Sequence, residues 1–266
     1  MTPDQYCESR AAKSGSSFYY SFRLLPPERR RAITALYAFC REVDDVVDEV
    51  HDPAVARAKL AWWRTEVGAV YDGAPQHPVA QALVPVVRSY RLPREHFEAV
   101  IDGMAMDLAQ QRYADFADLE RYCHRVAGVV GTLAAGVFGA RRPSTLAYAE
   151  QLGLAFQLTN IIRDVGEDAR KGRVYLPLDE LRRFEVPVEE ILAGRPSERF
   201  AALMRFQAER ARECYRRAFA LLEDDERRAQ RPGLMMAAIY ARLLDEIERD
   251  GFRVLTHRTS LTPLRK

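Results

Sequence analysis

The sequence predicts an all-α protein built as one domain. Three observations lead there. Proline and glycine breaks divide the chain into segments, apolar residues recur at three- and four-residue steps within those segments, and no stretch shows the alternating polarity of a strand. The breaks fall at Pro26-Pro27, 72–78, Leu92-Pro93, Arg142-Pro143, 173–177, 194–196 and Pro232-Gly233. No low-complexity linker and no repeat of fixed period divides the chain, so 1–266 reads as a single helical domain. At 266 residues and 48% hydrophobic, it is long enough to bury a sizeable core.

The first clear helix covers 32–50, where Ile33, Leu36, Cys40, Val43 and Val47 form one apolar stripe. Ahead of it, Pro26-Pro27 mark a helix start, and the basic run "ERRRA" reads either as a solvated face or as a phosphate or membrane contact. Further helices are expected at 53–72, 78–90, 94–110, 115–140, 143–168, 178–193, 197–225 and 233–252. The uncharged run Val126 to Ala140 has 15 residues, fewer than the ~20 that span a bilayer, and reads as a buried helix. Within it Gly128, Gly131, Ala134 and Ala135 leave a face of little bulk, suited to close helix packing or to a tunnel.

Composition excludes some functions. Lysine plus arginine number 40 against 38 acids, so charge gives no case for a nucleic-acid partner. Cys7, Cys40, Cys123 and Cys214 have neither metal-ligand nor disulfide-framework spacing and read as core or boundary thiols of a reducing compartment. The first residues lack the apolar segment of a signal peptide, and a cytoplasmic protein is expected. Peripheral membrane attachment remains compatible with this, because it needs only an exposed apolar face. No glycine-rich dinucleotide fingerprint follows a strand, so no nicotinamide cofactor is expected.

Two stretches crowd acids beside apolar surface: "REVDDVVDEV" (41–50) and "NIIRDVGEDARKGRVYLP" (160–177). On a wheel of ~100° per residue, Tyr37, Arg41, Asp44 and Asp48 fall within about 60°, on a face bordering the apolar stripe. Gln157, Asn160, Asp164 and Asp168 fall within about 80° on the second helix, whose remaining faces carry Leu152, Phe156, Leu158, Ile161 and Ile162. Carboxylates buried there need a cation. At i and i+4 they stand roughly 5–6 Å apart, close enough to share one metal or two adjacent metals. All-oxygen ligands suit Mg²⁺, or Mn²⁺ as the alternative, with diphosphate oxygens completing the shell. The bland alternative is that Arg41 and Arg163 merely neutralise the acids in surface ion pairs. Two clusters of matching DxxxD spacing, each with a nearby arginine, argue against it.

"YAFCREVDDVVDE" (37–49), "YCHRVAGVVG" (122–131) and "LGLAFQLTNIIRDVGEDARKGRVYLP" (152–177) closely resemble the squalene and phytoene synthase family over nearly the whole chain. That family condenses prenyl diphosphates head to head. The resemblance implies an isoprenoid-synthase-type helical bundle around a central cavity. It makes Asp44 and Asp48 ligands of a first Mg²⁺ site, and Asn160, Asp164 and Asp168 ligands of a second. Asp45 lies at the edge of the first face. Arg41, Arg163, Lys171 and Arg173 would hold diphosphate oxygens, and Tyr37, Tyr122, Gln157 and Tyr240 match other cavity positions. Some relatives carry a lysine in an N-terminal flap where this chain reads Gly15-Ser16-Ser17. Ser17 is left as a substrate contact or a helix cap.

The opening segment from Tyr6 to Glu49 is most similar to the presqualene-diphosphate-forming branch of bacterial hopanoid clusters. This implies two farnesyl diphosphates as substrates and hand-off to separate squalene-forming enzymes. Phytoene synthases using geranylgeranyl diphosphate, and dehydrosqualene or squalene synthases, share the same motifs. A noncatalytic helical partner of isoprenoid enzymes is the distant alternative. Expected apolar walls are Phe18, Phe22, Tyr37, Val130, Leu133, Phe138 and Phe156. His51 reads as a surface or capping residue, and His124 faces either cavity or solvent.

Overall fold

The computed structural model describes residues 1–261 apart from 14–16, 24 and 51, and the side chains of 17, 18 and 20 also lie outside the description. Among the described residues the chain forms α-helices and no strand. In order they are α1 (Pro3–Lys13), α2 (Ser17–Phe22), α3 (Pro27–Glu49), α4 (Pro53–Asp72), α5 (Pro78–Tyr90), α6 (Arg94–Ala109) and α7 (Phe116–Cys123). A π-helical turn, His124–Gly128, leads into α8 (Val129–Phe138). Then come α9 (Pro143–Arg170), α10 (Leu178–Arg183), α11 (Val188–Leu192), α12 (Glu198–Leu221) and α13 (Arg231–Arg249), with a 3₁₀ turn at Arg253–Leu255.

Local chemistry sets the boundaries. α3 begins at Pro27, at the helix start that Pro26-Pro27 mark and ahead of the apolar stripe from 32, because proline suits a first helical turn whose N–H groups lack partners anyway. Asp52 caps α4 by accepting from the backbone of Ala54 at 2.8 Å, and Gly73 ends it in the left-handed region at φ 85°. The helix expected at 178–193 is two helices. Glu185 takes φ 53° and Pro187 follows, so the ladder cannot continue. The helix expected at 115–140 is interrupted by the π turn. α1 and α2 escaped the periodicity, since α1 buries only Cys7 and Ala11.

Two apolar clusters form the core. One joins α1 and α3–α6 to Val129, Leu133, Val137 and Phe138 of α8. The other surrounds α9, which packs on α8, α12 and α13. Close approach of α8 and the π turn to α9 depends on glycine. A Cβ on Gly131 would lie 2.3 Å from the Ala149 carbonyl oxygen, and one on Gly153 would lie 2.4 Å from that of Ala127. The low-bulk face therefore serves packing at Gly131, and Gly131, Ala134 and Ala135 also border the cavity.

Gly153→Ala is expected to cost about 1–3 kcal/mol by overpacking. That corresponds to a Tm drop of several degrees, at ~2–4 °C per kcal/mol for a chain of this size. An unchanged Tm would contradict the close contact.

Candidate active site

Between the clusters lies a cavity of about 1030 Å³ including its mouth, lined by α2, α3, the π turn, α8, α9 and α13. Phe22, Tyr37, Val130, Phe138 and Phe156 form walls as expected. Leu133 does not. Its side of α8 turns into the first core cluster, where it is 1% exposed. Phe18 and Ser17 fall on side chains outside the described set, as does His51. Phe156 lies 4.7 Å from Tyr240, and Phe22 meets Tyr37 edge-on at 5.9 Å. Aromatic faces are thus presented to a space in which a carbocation would be shielded from water.

Tyr37 and Cys40 of α3, and Gln157 and Asn160 of α9, lead from the cavity wall toward the two acid motifs. On α3, Arg41 donates to Asp44 and Asp45 at 2.7 Å each. Asp45 is held from its other side by Arg10 of α1, which also pairs with Glu42 at 2.7 Å. Asp45 therefore braces Arg41, in keeping with its place at the edge of the face. Asp48 receives Lys171 at 3.0 Å and Arg173 at 3.4 Å, both from the turn after α9. These contacts bring the ends of the two motifs together.

On α9, Asp164 is paired with Arg163 and, at 2.7 Å, with Arg258 from beyond the 3₁₀ turn. Asn160 donates to Gln157 at 3.4 Å, while its Oδ1 is buried without a hydrogen-bond partner. Asp107 of α6 was missed by sequence reasoning. It is 9% exposed and accepts from Tyr122 at 2.9 Å and Tyr175 at 2.7 Å. Its field reaches both motifs, acting on Asp44 and Asp168. Only its apolar neighbours on "DGMAMDL" are visible in the sequence, and no second acid at helical spacing marks it. His124 faces outward, half exposed and 2.8 Å from Glu150.

Burial and like charge shift the carboxyls of both motifs. Burial, with the neighbouring Asp48 and Asp45, pushes Asp44 up to about 6 despite Arg41. Burial and Asp164 push Asp168 up to about 7, against Arg173 and Lys171. Asp164 moves the other way, since Arg163 and Arg258 outweigh its burial. Asp107 is raised, burial outweighing Tyr175, Arg173 and Tyr122.

The all-oxygen donor set and the orphaned Oδ1 of Asn160 fit a hard divalent ion. Among the described residues, no three His, Cys, Asp or Glu side chains gather as one metal cluster. An ion here would take the rest of its shell from substrate oxygens and water, as Mg²⁺ commonly does.

A pH dependence follows. Both raised carboxyls lie above the ~3.9 of an unfolded aspartate. The folded chain therefore binds extra protons between about pH 4 and pH 7, and this stabilisation is lost as pH rises through about 6 and about 7. A divalent ion bound there would compensate the unprotonated pair. Mg²⁺ should raise Tm more at about pH 8 than at about pH 5.5, and equal shifts would contradict the assignment.

The structure is thus a helical bundle around an apolar cavity, with two acid motifs linked through Asp48 and its partners Lys171 and Arg173. The chain belongs to the squalene/phytoene synthase family, whose model it matches over residues 11–265. The phytoene synthase of Arthrospira platensis is 37% identical over 98% of this chain and 89% of the relative. The 15-cis-phytoene synthase of a Synechocystis strain is 34% identical over 96% and 79%. A crystal structure of a dehydrosqualene synthase superposes with a TM-score of 0.87 at 29% identity, covering 99% of this chain and 92% of the other. The squalene synthase HpnC from Alicyclobacillus acidocaldarius does so with a TM-score of 0.81 at 25% identity, covering 94% of each. The chain is thus a head-to-head prenyltransferase.

Proposed function

We propose that the protein condenses two farnesyl diphosphates to presqualene diphosphate, releasing one diphosphate. The observation that carries the reading is the link between the two acid motifs, Lys171 and Arg173 after α9 reaching Asp48 of α3, on the helices whose Tyr37, Cys40, Gln157 and Asn160 line an apolar cavity. Asp44, Asp48, Asn160, Asp164 and Asp168 would hold Mg²⁺, which when bound supplies charge stabilisation for the departing diphosphate.

The chain's own groups do the rest. Arg41, Arg163, Lys171 and Arg173, now paired with carboxylates, turn to phosphate oxygens once those carboxylates are neutralised. One farnesyl C1–O bond breaks and its electron pair leaves with the diphosphate. The C2–C3 double bond of the second farnesyl group attacks the allylic cation, and proton loss closes the cyclopropane. Tyr37, Phe22, Phe156 and Tyr240 line the space that keeps water from that cation.

The C15 substrate is supported by the likeness to dehydrosqualene and squalene synthases in fold and by the opening segment. A second reading, two geranylgeranyl diphosphates, is favoured by the relatives named phytoene synthases at 34–37% identity. Purified protein with farnesyl diphosphate and Mg²⁺ should accumulate a phosphatase-sensitive C30 diphosphate, unchanged by NADPH, for a separate enzyme to ionise again. Dominant squalene, hydroxysqualene or dehydrosqualene, or far better use of geranylgeranyl diphosphate, would overturn the C15 presqualene reading. No condensation of either substrate would leave the noncatalytic alternative.

A further inference from the structure

The apolar cavity has a closed end, and one side chain stands across it. Along α9 the lining residues Tyr148, Leu152, Phe156 and Asn160 follow at four-residue steps, so a single lane runs from the acid motif toward the start of the helix. α8 lies antiparallel beside it, with Ala127 against Gly153 and Gly131 against Ala149. At 1.5 Å per residue, Tyr148 stands roughly 18 Å along α9 from Asn160. Among the described residues, no earlier position of α9 lines the cavity.

One turn before Tyr148 the chemistry changes. Thr145 donates to Glu226 at 3.0 Å and Arg141 holds the same carboxylate at 2.7 Å, with Glu226 0% exposed. Gln230 donates to the Ala135 carbonyl at 3.3 Å. An apolar chain pushed into this buried layer would leave a carboxylate and an amide unpaired, so the lane cannot continue through it.

Tyr148 itself is 1% exposed, and its hydroxyl is buried without a hydrogen-bond partner. The oxygen rests in a notch left by Gly233, where a Cβ would stand 3.2 Å away. An unpaired hydroxyl adds no favourable contact that a phenylalanine would lack. The side chain therefore acts at this point through its bulk.

We propose that Tyr148 sets substrate chain length, by ending the lane at the depth of a C15 chain. The inference rests on the proposed head-to-head reaction for the identity of its ligand. With carbon–carbon bonds of ~1.5 Å advancing about 1.25 Å each, an extended farnesyl chain measures roughly 14 Å and a geranylgeranyl chain roughly 19 Å. With C1 near Asn160, the shorter chain ends about one van der Waals contact, ~4 Å, before Tyr148. The longer one overlaps the ring. Alanine in place of Tyr148 removes a ring and a hydroxyl, more heavy atoms than the isoprene unit by which the two substrates differ.

The test uses farnesyl and geranylgeranyl S-thiolodiphosphates, in which sulfur in place of the oxygen on C1 prevents ionisation, as binding probes with Mg²⁺. The diphosphates themselves serve as substrates. Calorimetric titration of the wild-type chain should show the farnesyl probe binding at least roughly tenfold tighter. Tyr148→Ala should bring the geranylgeranyl probe to equal or tighter binding. It should also raise the ratio of kcat/KM for geranylgeranyl over farnesyl diphosphate by on the order of 10- to 100-fold. Tyr148→Phe should keep the wild-type ratio. Leu133→Ala, an equally buried truncation outside the lane, should lower stability and leave the ratio unchanged. Should Tyr148→Ala fail to fold, Tyr148→Leu should still raise the ratio by roughly three- to tenfold.

Farnesyl turnover with an unchanged ratio in the alanine and leucine variants overturns the assignment and leaves the proposed reaction standing. A rise as large in Tyr148→Phe or Leu133→Ala also overturns it, as does a wild-type chain that binds the geranylgeranyl probe the tighter. Probe preference that switches at Tyr148 without turnover of either diphosphate supports the assignment while the proposed reaction fails.

Discussion

Asp44→Asn and Asp164→Asn each lower kcat by on the order of 10²- to 10³-fold, while the helical circular dichroism signal is kept. The carboxylate charge is needed where negative charge builds on the departing diphosphate, and an amide of the same shape cannot supply it to a cation. The two variants should separate in stability. Asp44 is held near other acids in a buried setting that disfavours its charge, so its amide leaves Tm unchanged or higher. Asp164→Asn deprives Arg163, whose side chain is 17% exposed, of its charged partner. That should cost about 1–3 kcal/mol, below the 3–5 of a fully buried pair. Near-wild-type kcat for both at saturating Mg²⁺ would sink the two-motif assignment.

Asp107→Asn comes next in size, with turnover falling on the order of 10- to 100-fold. The carboxylate takes hydroxyl hydrogen bonds from Tyr122 and Tyr175 on two oxygens, whereas an amide has one acceptor oxygen. One buried tyrosine then loses its acceptor, at a cost of about 1–3 kcal/mol. Arg173, which reaches Asp48 from the turn after α9, also loses a nearby countercharge. In a double-mutant cycle, Tyr122→Phe should add much less to Asp107→Asn than to the wild type. Simple additivity of the two would show that the contact does not link them.

Much of this architecture is legible in the chain because its punctuation is local. α4 and α5 start at prolines, α4 ends at Gly73, which takes the left-handed region without steric cost, and the bounds of both match the periodicity. The acid motifs are equally local, since i to i+4 spacing places Asp44 with Asp48 and Asp164 with Asp168. What escapes is long-range. Arg10 reaches Asp45 across 35 positions and Arg258 reaches Asp164 across 94. Asp107 is recognisable only once Tyr122 and Tyr175 are brought to it. Leu133 shares an apolar run with true wall residues, and which way a uniformly apolar helix turns is decided by its neighbours. The split of 178–193 rests on a single backbone conformation at Glu185, a residue with no special preference for it.

The central claim is that the two motifs form one diphosphate site that works through a divalent cation. Calorimetric titration of inorganic diphosphate into the protein, with Mg²⁺ and then in EDTA, tests it most directly. Binding should be at least roughly tenfold tighter with Mg²⁺, and Asp44→Asn/Asp168→Asn should remove that gain. Equal affinity in EDTA and in Mg²⁺, carried by the arginines alone, would contradict the account.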